Sequence, residues 1–146
     1  MRTIKAKEWN EIPKNYTGIV EFTNGDKFWY LNSKLHREDG PAIEFATGNK
    51  SWFLNDKRHR LDGPAVELVN GDKEWWLDGK RHRVDGPAIE RATGNKYWWL
   101  NDKHHRIDGP AMEWADGDKK YFINGERVSK EAQEVLYAMY KLKGLL

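Results

Sequence analysis

Residues 62–84 read Asp-Gly-Pro-Ala-Val-Glu-Leu-Val-Asn-Gly-Asp-Lys-Glu-Trp-Trp-Leu-Asp-Gly-Lys-Arg-His-Arg-Val, and most of the chain is made of copies of this stretch. The tetrapeptide Asp-Gly-Pro-Ala begins at Asp39, Asp62, Asp85 and Asp108, in equal steps of 23 residues. A fixed period between about 20 and 50 residues is the signature of stacked supersecondary units that share one extended core.

Outward from that stretch the copies decay toward both ends. In the first unit Tyr16-Thr17-Gly18-Ile19 stands where Asp39-Gly40-Pro41-Ala42 stands in the next, but Gly25, Trp29, Leu31, His36 and Arg37 are kept. The fifth unit keeps Gly109 to Trp114 and fades after Arg127. The organisation is therefore an N-terminal cap over 1–14, five hairpin repeats over 15–128 and a C-terminal segment over 129–146. End units of a stacked array need a different outer face, which is the role expected of both flanks.

Each unit contains two runs rich in β-branched and aromatic residues, Pro41-Ala42-Ile43-Glu44-Phe45 and Lys50-Ser51-Trp52-Phe53-Leu54 in the second. A Gly turn joins them, written Asn24-Gly25, Thr47-Gly48, Asn70-Gly71, Thr93-Gly94 and Asp116-Gly117. Asn-Gly and Asp-Gly suit a two-residue type I′ hairpin, whose central residues both need positive φ. That turn predicts Phe45 opposite Lys50, Ile43 opposite Trp52 and Pro41 opposite Leu54. One face would then carry Trp29, Trp52, Trp75, Trp98 and Tyr121. The other would carry Tyr30, Phe53, Trp76, Trp99 and Phe122 beside Glu21, Glu44, Glu67, Glu90 and Glu113, because side chains alternate along a strand. A slip of one residue would exchange the faces.

The tail reads as a helix. Ser129 is an N-cap, Glu131 lies in the first turn, and Ala132, Val135, Leu136, Met139, Tyr140 and Leu142 fall at helical spacing. The fold class expected is an all-β repeat: an elongated single-layer antiparallel sheet of stacked β-hairpins with a C-terminal capping α-helix.

Composition narrows the function. The 146 residues carry 25 basic and 23 acidic side chains, a balance that disfavours a dedicated nucleic-acid or anionic-membrane patch. Cysteine is absent, which removes thiolate nucleophiles, disulfides and Cys-based metal sites. No apolar run reaches spanning length, and a cytoplasmic protein is expected, in a host cytoplasm if viral. Seven of the eight tryptophans in so polar a chain fall within the repeat.

Asp78-Gly79-Lys80-Arg81-His82, with an aromatic run before it and Gly-x-Lys-x-Trp elsewhere in the unit, resembles the MORN repeat. Asn55-Asp56-Lys57-Arg58-His59 and Asn101-Asp102-Lys103-His104-His105 fit as well. The chain departs from that family in placing Arg37, Arg60, Arg83 and Arg106 where MORN has Gly, and in inserting Pro after the second Gly. It is similar to a variant found in bacterial and phage proteins and sometimes labelled antitoxin-like. The resemblance spans about 15–128. It implies a hairpin array that binds proteins or lipid headgroups without catalysis.

The columns His36/His59/His82/His105, Arg37/Arg60/Arg83/Arg106 and Asp39/Asp62/Asp85/Asp108 look like a site written four times. With two strands per unit, equivalent residues lie about 10 Å apart, too far to share a metal or a proton. They read as a structural hydrogen-bond ladder. No motif for a nucleophile, phosphate loop or zinc helix is present. No enzyme, metal or cofactor is expected.

The expected activity is protein recognition, as a scaffold or as an inhibitor that masks a target. Single-stranded nucleic acid and anionic lipid headgroups are the alternatives. Candidate partner-binding residues are Tyr30, Phe53, Trp76, Trp99 and Phe122, with Arg58, Arg81, His104 and Arg91 from columns whose chemistry changes between units. Open sheet edges leave room for a homodimer.

Overall fold

The structure, a computed structural model, describes residues 1–146. They fall into two compact units, Met1–Gly79 and Lys80–Leu146. Both are built of β-hairpins, and the second ends in the one α-helix, Lys130–Leu142. The fold is thus an all-β hairpin repeat with a C-terminal helix.

In the first unit the flank that precedes the repeats is a strand. Thr3–Ala6 runs parallel to Gly18–Phe22, with Thr3 opposite Ile19. Gly18–Phe22 pairs antiparallel with Lys27–Leu31, which brings Val20 opposite Phe28. Ala6, Tyr16, Val20 and Phe28 form a buried cluster, with Ile4, Ile12 and Phe22 packed against it. Trp9 lies edge-on to Phe28 at 4.8 Å and tilted to Phe22 at 4.5 Å. The Tyr16 hydroxyl donates to the carbonyls of Arg2 and Ile19 at 3.1 and 3.0 Å. Residues 1–16 therefore cover the apolar side of the first hairpin, where full burial of a side chain such as Val20 contributes about 1.5–3 kcal/mol.

The ladder continues in two-residue strands. Ile43–Glu44 pairs with Lys50–Ser51, which pairs with Val66–Glu67, which pairs with Lys73–Glu74. In the second unit Ile89–Glu90, Lys96–Tyr97, Met112–Glu113 and Lys119–Ile123 pair in that order, and Glu126–Val128 closes the edge. A second row of hairpins lies beside this ladder: Phe53–Leu54 with Lys57–Arg58, and Trp99–Leu100 with Lys103–His104. The five-residue second strand expected from the sequence is broken at Trp52 and at Trp98. The Trp52 N–H donates to the Ala65 carbonyl at 2.8 Å and its carbonyl accepts from His59 at 3.1 Å. Trp98 does the same with Ala111 and His105. Each tryptophan is a corner between the two rows. The alanine it bonds is fully buried, as Ala42, Ala65, Ala88 and Ala111 all are.

The Gly turn is not type I′. At Ala46-Thr47-Gly48 only Gly48 has positive φ, +96°. The Gly48 N–H donates to Phe45 and the Phe45 N–H to Asn49, at 2.8 and 3.0 Å. This is a three-residue loop, a type I turn closed by a glycine bulge. The extra residue moves the register by one, so Ile43 faces Ser51 and Glu44 faces Lys50. Glu44 therefore shares a side with Trp52, and the glutamates do not lie beside the Phe53 column. The type I′ conformation sits at the other turn, where Asn55 and Asp56 have φ of 50° and 65°, and Asn101 and Asp102 of 50° and 61°. Asn and Asp accept that conformation more readily than other non-glycine residues.

The C-terminal helix starts as its sequence implies. The Ser129 side chain accepts from the Ala132 N–H at 3.1 Å. It packs over Lys119–Ile123.

Candidate functional site

Three sets of side chains repeat through the structure, and each has its own chemistry. The first is built on the Asp-Gly-Pro loop. Arg60 Nε donates to Asp62 at 2.9 Å, and its Nη1 donates to the Pro64 carbonyl and to Glu67 at 3.1 and 2.9 Å. Its guanidinium lies 4.0 Å above the Trp52 ring. Arg37 and Arg106 repeat all of this, over Trp29 and Trp98. Arg83 makes the same bonds to Asp85, Pro87 and Glu90. The hydrogen bond from its arginine, and then that arginine's charge, lower the carboxyl pKa of Asp39, Asp62 and Asp85. The loop glycine leaves room for the guanidinium: a Cβ on Gly63 would stand 3.0 Å from Arg60 Cζ, so the arginine would have to give by a few tenths of an ångström. An arginine stacked on a ring and committed to three acceptors is held in place, and this column fixes the loop.

The second set joins successive repeats. The amide N–H of Arg37 donates to the Phe53 carbonyl, that of Arg60 to Trp76, that of Arg83 to Trp99 and that of Arg106 to Phe122, each at 3.1 Å. The histidines sit beside the turn of the following repeat. The Asn55 N–H reaches His36 Nδ1 at 3.2 Å, and the Asn124 N–H reaches His105 Nδ1 at 3.0 Å. His59 Nδ1 lies 2.9 Å from Asp78 Oδ1. Burial lowers the His105 pKa, and its side-chain hydrogen bond with Asn124 offsets part of that. No three His, Asp or Glu side chains converge as metal ligands. His, Arg and Asp columns therefore run as parallel ladders and do not meet in one centre.

The third set holds most of the candidate partner-binding residues. Within each unit the aromatic residues of the expected column have the residues that vary between repeats interleaved with them. In the first unit the Arg58 guanidinium lies 5.7 Å from the Phe53 ring and 5.1 Å from the Trp76 ring. Tyr30 heads this column opposite Leu35. Its hydroxyl pKa is raised by burial and then by the charge of Asp56. In the second unit Arg81 covers Trp99 at 3.8 Å, Trp99 stacks on His104 at 3.5 Å, and His104 faces Phe122 at 5.3 Å. Trp99 is thus half-buried between a guanidinium and an imidazole, and Phe53, Trp76 and Phe122 each have one such plate against them. Trp76 Nε1 donates to Glu74 at 3.0 Å. Trp99 Nε1 and His104 Nδ1 are buried without a partner. Burial lowers the His104 pKa; a hydrogen bond with the Trp98 backbone opposes that, and the charge of Arg81 reinforces it. Arg91 is not part of the column. It opens a Gly turn, accepting from Gly94, at the position that Phe45, Leu68 and Trp114 hold in other repeats.

Clefts lie between successive Asp-Gly-Pro loops within each unit. One, of about 620 Å³, lies in the first unit against Trp52, Leu54 and Leu61. Another, of about 680 Å³, lies in the second against Trp98, Leu100 and Ile107. Their signal in the sequence is a single position, the residue before the loop aspartate: Glu38, Leu61, Val84 and Ile107. Leu61 and Val84 are 84 % and 83 % exposed.

Chemically, the repeated arrangement offers flat hydrophobic and cationic plates and apolar clefts rimmed by carboxylates. No family model matches the chain, and no curated protein matches it.

Proposed function

We propose that this chain is a non-catalytic protein-recognition scaffold with an interleaved contact face in each unit, Phe53, Arg58 and Trp76 in the first and, taken by itself, Arg81, Trp99, His104 and Phe122 in the second. The observation that carries this reading is the alternation itself. Trp, Tyr and Arg dominate binding hot spots because they combine area, rigidity and hydrogen-bonding edges, and here they are held preorganised by one another. The MORN-like motifs support the same reading. Single-stranded nucleic acid is disfavoured because its bases would have to stack between rings. Arg58, Arg81 and His104 already occupy those places.

The test is an affinity capture with the tagged chain, with and without nuclease, run beside Arg58→Glu and a Trp76→Ser, Trp99→Ser double variant whose folding is checked by circular dichroism. One dominant protein that survives nuclease and is lost with both variants is the expected result. Recovery of nucleic acid alone, or a protein whose capture the variants leave unchanged, overturns the assignment of this face.

A further inference from the structure

The C-terminal helix has two unlike sides. Its packed side carries Gln133, Leu136 and Tyr137, none of them exposed. Gln133 donates its side-chain amide to the Ile107 carbonyl, and the helix lies over Lys119–Ile123. At 3.6 residues per turn the opposite side carries Val135, Ala138, Met139 and Leu142, with Ala132 beside them. Val135, Met139 and Leu142 are 60 %, 45 % and 88 % exposed, and both alanines are exposed as well. A helix that packs by one face ordinarily turns charged and polar residues to water on the other. This one turns a second apolar stripe outward.

The charges beside that stripe suit a second copy of the same helix running the other way. Glu134 and Lys141 lie seven residues apart, two turns along one flank. About a two-fold axis between Tyr137 and Ala138, an antiparallel copy brings Glu134 against Lys141 of the second copy and Lys141 against its Glu134. Glu131 then lies toward Lys143 of the second copy. Such a contact is isologous, each copy offering what the other accepts. A parallel copy would level Glu134 with Glu134 and Lys141 with Lys141, like charge on like. The antiparallel arrangement also sets the positive N-terminus of each helix beside the negative C-terminus of the other. Contacts within the chain compete weakly for these groups. Glu134 lies 3.7 Å from Lys130, both exposed, and the Lys141 ammonium lies 5.3 Å from the Tyr137 ring. The two alanines let the backbones approach, and Met139 is flexible enough to fill the remaining space.

We propose that the outward face of the helix Lys130–Leu142 is a self-association surface, on which a second copy of this chain docks antiparallel through Val135, Met139 and Leu142, with Glu134 and Lys141 setting the register. The helix is about 20 Å long. Its contact therefore falls at the small, weak end of specific interfaces, with a dissociation constant on the order of 100 µM. The inference does not depend on the recognition faces proposed above, which use no residue of the helix.

Sedimentation equilibrium of the intact chain at low salt, from about 5 µM to about 1 mM, tests it. A monomer–dimer equilibrium is expected. Val135→Glu combined with Leu142→Glu should weaken it at least about tenfold. Both positions are exposed, so the variant folds, and an unchanged urea midpoint and helical circular dichroism verify this. Glu134→Lys alone and Lys141→Glu alone should each weaken the dimer about fivefold, since each acts at two symmetric pairs. Combined in one chain they should return it to within about twofold of the parent, because the exchange restores opposite charges across the axis. Both single effects should shrink at high salt. A chain that stays monomeric at about 1 mM, a free energy weaker than about −4 kcal/mol, overturns the inference. So does a dimer that Val135→Glu and Leu142→Glu leave intact, which would assign association to a sheet edge. A dimer lost with those changes but not rescued by the charge exchange overturns the antiparallel docking.

Discussion

Replacing Arg60 by lysine isolates what the guanidinium fork does, because the positive charge stays. Arg60 Nη1 serves the Pro64 carbonyl and Glu67 together, and the plane of the group lies on Trp52. A lysine ammonium is a point donor on a flexible stem and cannot hold both acceptors and the ring at once. Losing one charge-assisted bond costs about 1.5–3 kcal/mol, and losing the stack about 0.5–1 kcal/mol. The Arg60 side chain is 21 % exposed but Glu67 is 38 % exposed, so solvent screens part of the bond between them and places the loss toward the lower end of the sum. The Arg60 bond to Asp62 adds nothing to the sum, because that carboxylate is 84 % exposed and screened. The expected loss is about 2–4 kcal/mol. In a chain of this size that lowers Tm by about 4–16 °C. Urea denaturation followed by far-UV circular dichroism, at low salt and at 1 M salt, measures it. A lysine variant within about 0.5 kcal/mol of the parent, the ordinary range for surface substitutions, would refute the claim that the fork organises the loop.

Two further outcomes follow from named groups. The carboxyl pKa values of Asp39, Asp62 and Asp85 are lowered in the fold by the hydrogen bond and charge of Arg37, Arg60 and Arg83, so their stabilising effect is present above the unfolded carboxyl pKa and is lost as pH falls below it. His105 is lowered by burial, so the unfolded chain takes up its proton first and stability also declines as pH falls through the ordinary histidine range. Urea midpoints between pH 7 and pH 3 should show both limbs, and His105→Gln should flatten the upper one; an unchanged upper limb would refute the role of His105. Gly48→Ala and Gly117→Ala both force alanine to a φ of +96°, but only at Gly48 would the new Cβ meet a neighbour, Val69 Cγ1 at 2.9 Å. Gly117→Ala should cost about 1–2 kcal/mol from backbone strain alone, and Gly48→Ala more. Equal losses in urea denaturation would show that Val69 yields freely.

The hairpin repeat was legible because 23-residue self-similarity needs no knowledge of register. Register was not, because Asn-Gly serves both a type I′ turn and a type I turn with a glycine bulge. The deciding signal lay one residue further on. Asp26, Asn49 and Asn95 each follow the Gly, and each accepts from the backbone N–H of a turn residue in the next repeat, Ala46, Val69 and Ala115, at 2.8–2.9 Å. A constant Asx after glycine is what a staple between neighbouring turns requires, and a two-residue turn would point it away.

Variation between repeats was harder to interpret than constancy. Leu35, Arg58, Arg81 and His104 change chemistry from unit to unit, which at sequence level resembles specificity. The structure sets Arg58 against the rings of Phe53 and Trp76, Arg81 against Trp99, and His104 between Trp99 and Phe122. At these three repeats the side chain at this position is therefore already engaged by its neighbours. The loop-tip position varies as well, from Glu38 through Leu61 and Val84 to Ile107, yet packing within the chain explains only the last, where the helix sits. Variation that internal packing does not demand is the better indicator of an external partner. By that criterion the exposed loop-tip residues Leu61 and Val84, rather than the column, are the positions that packing leaves unconstrained.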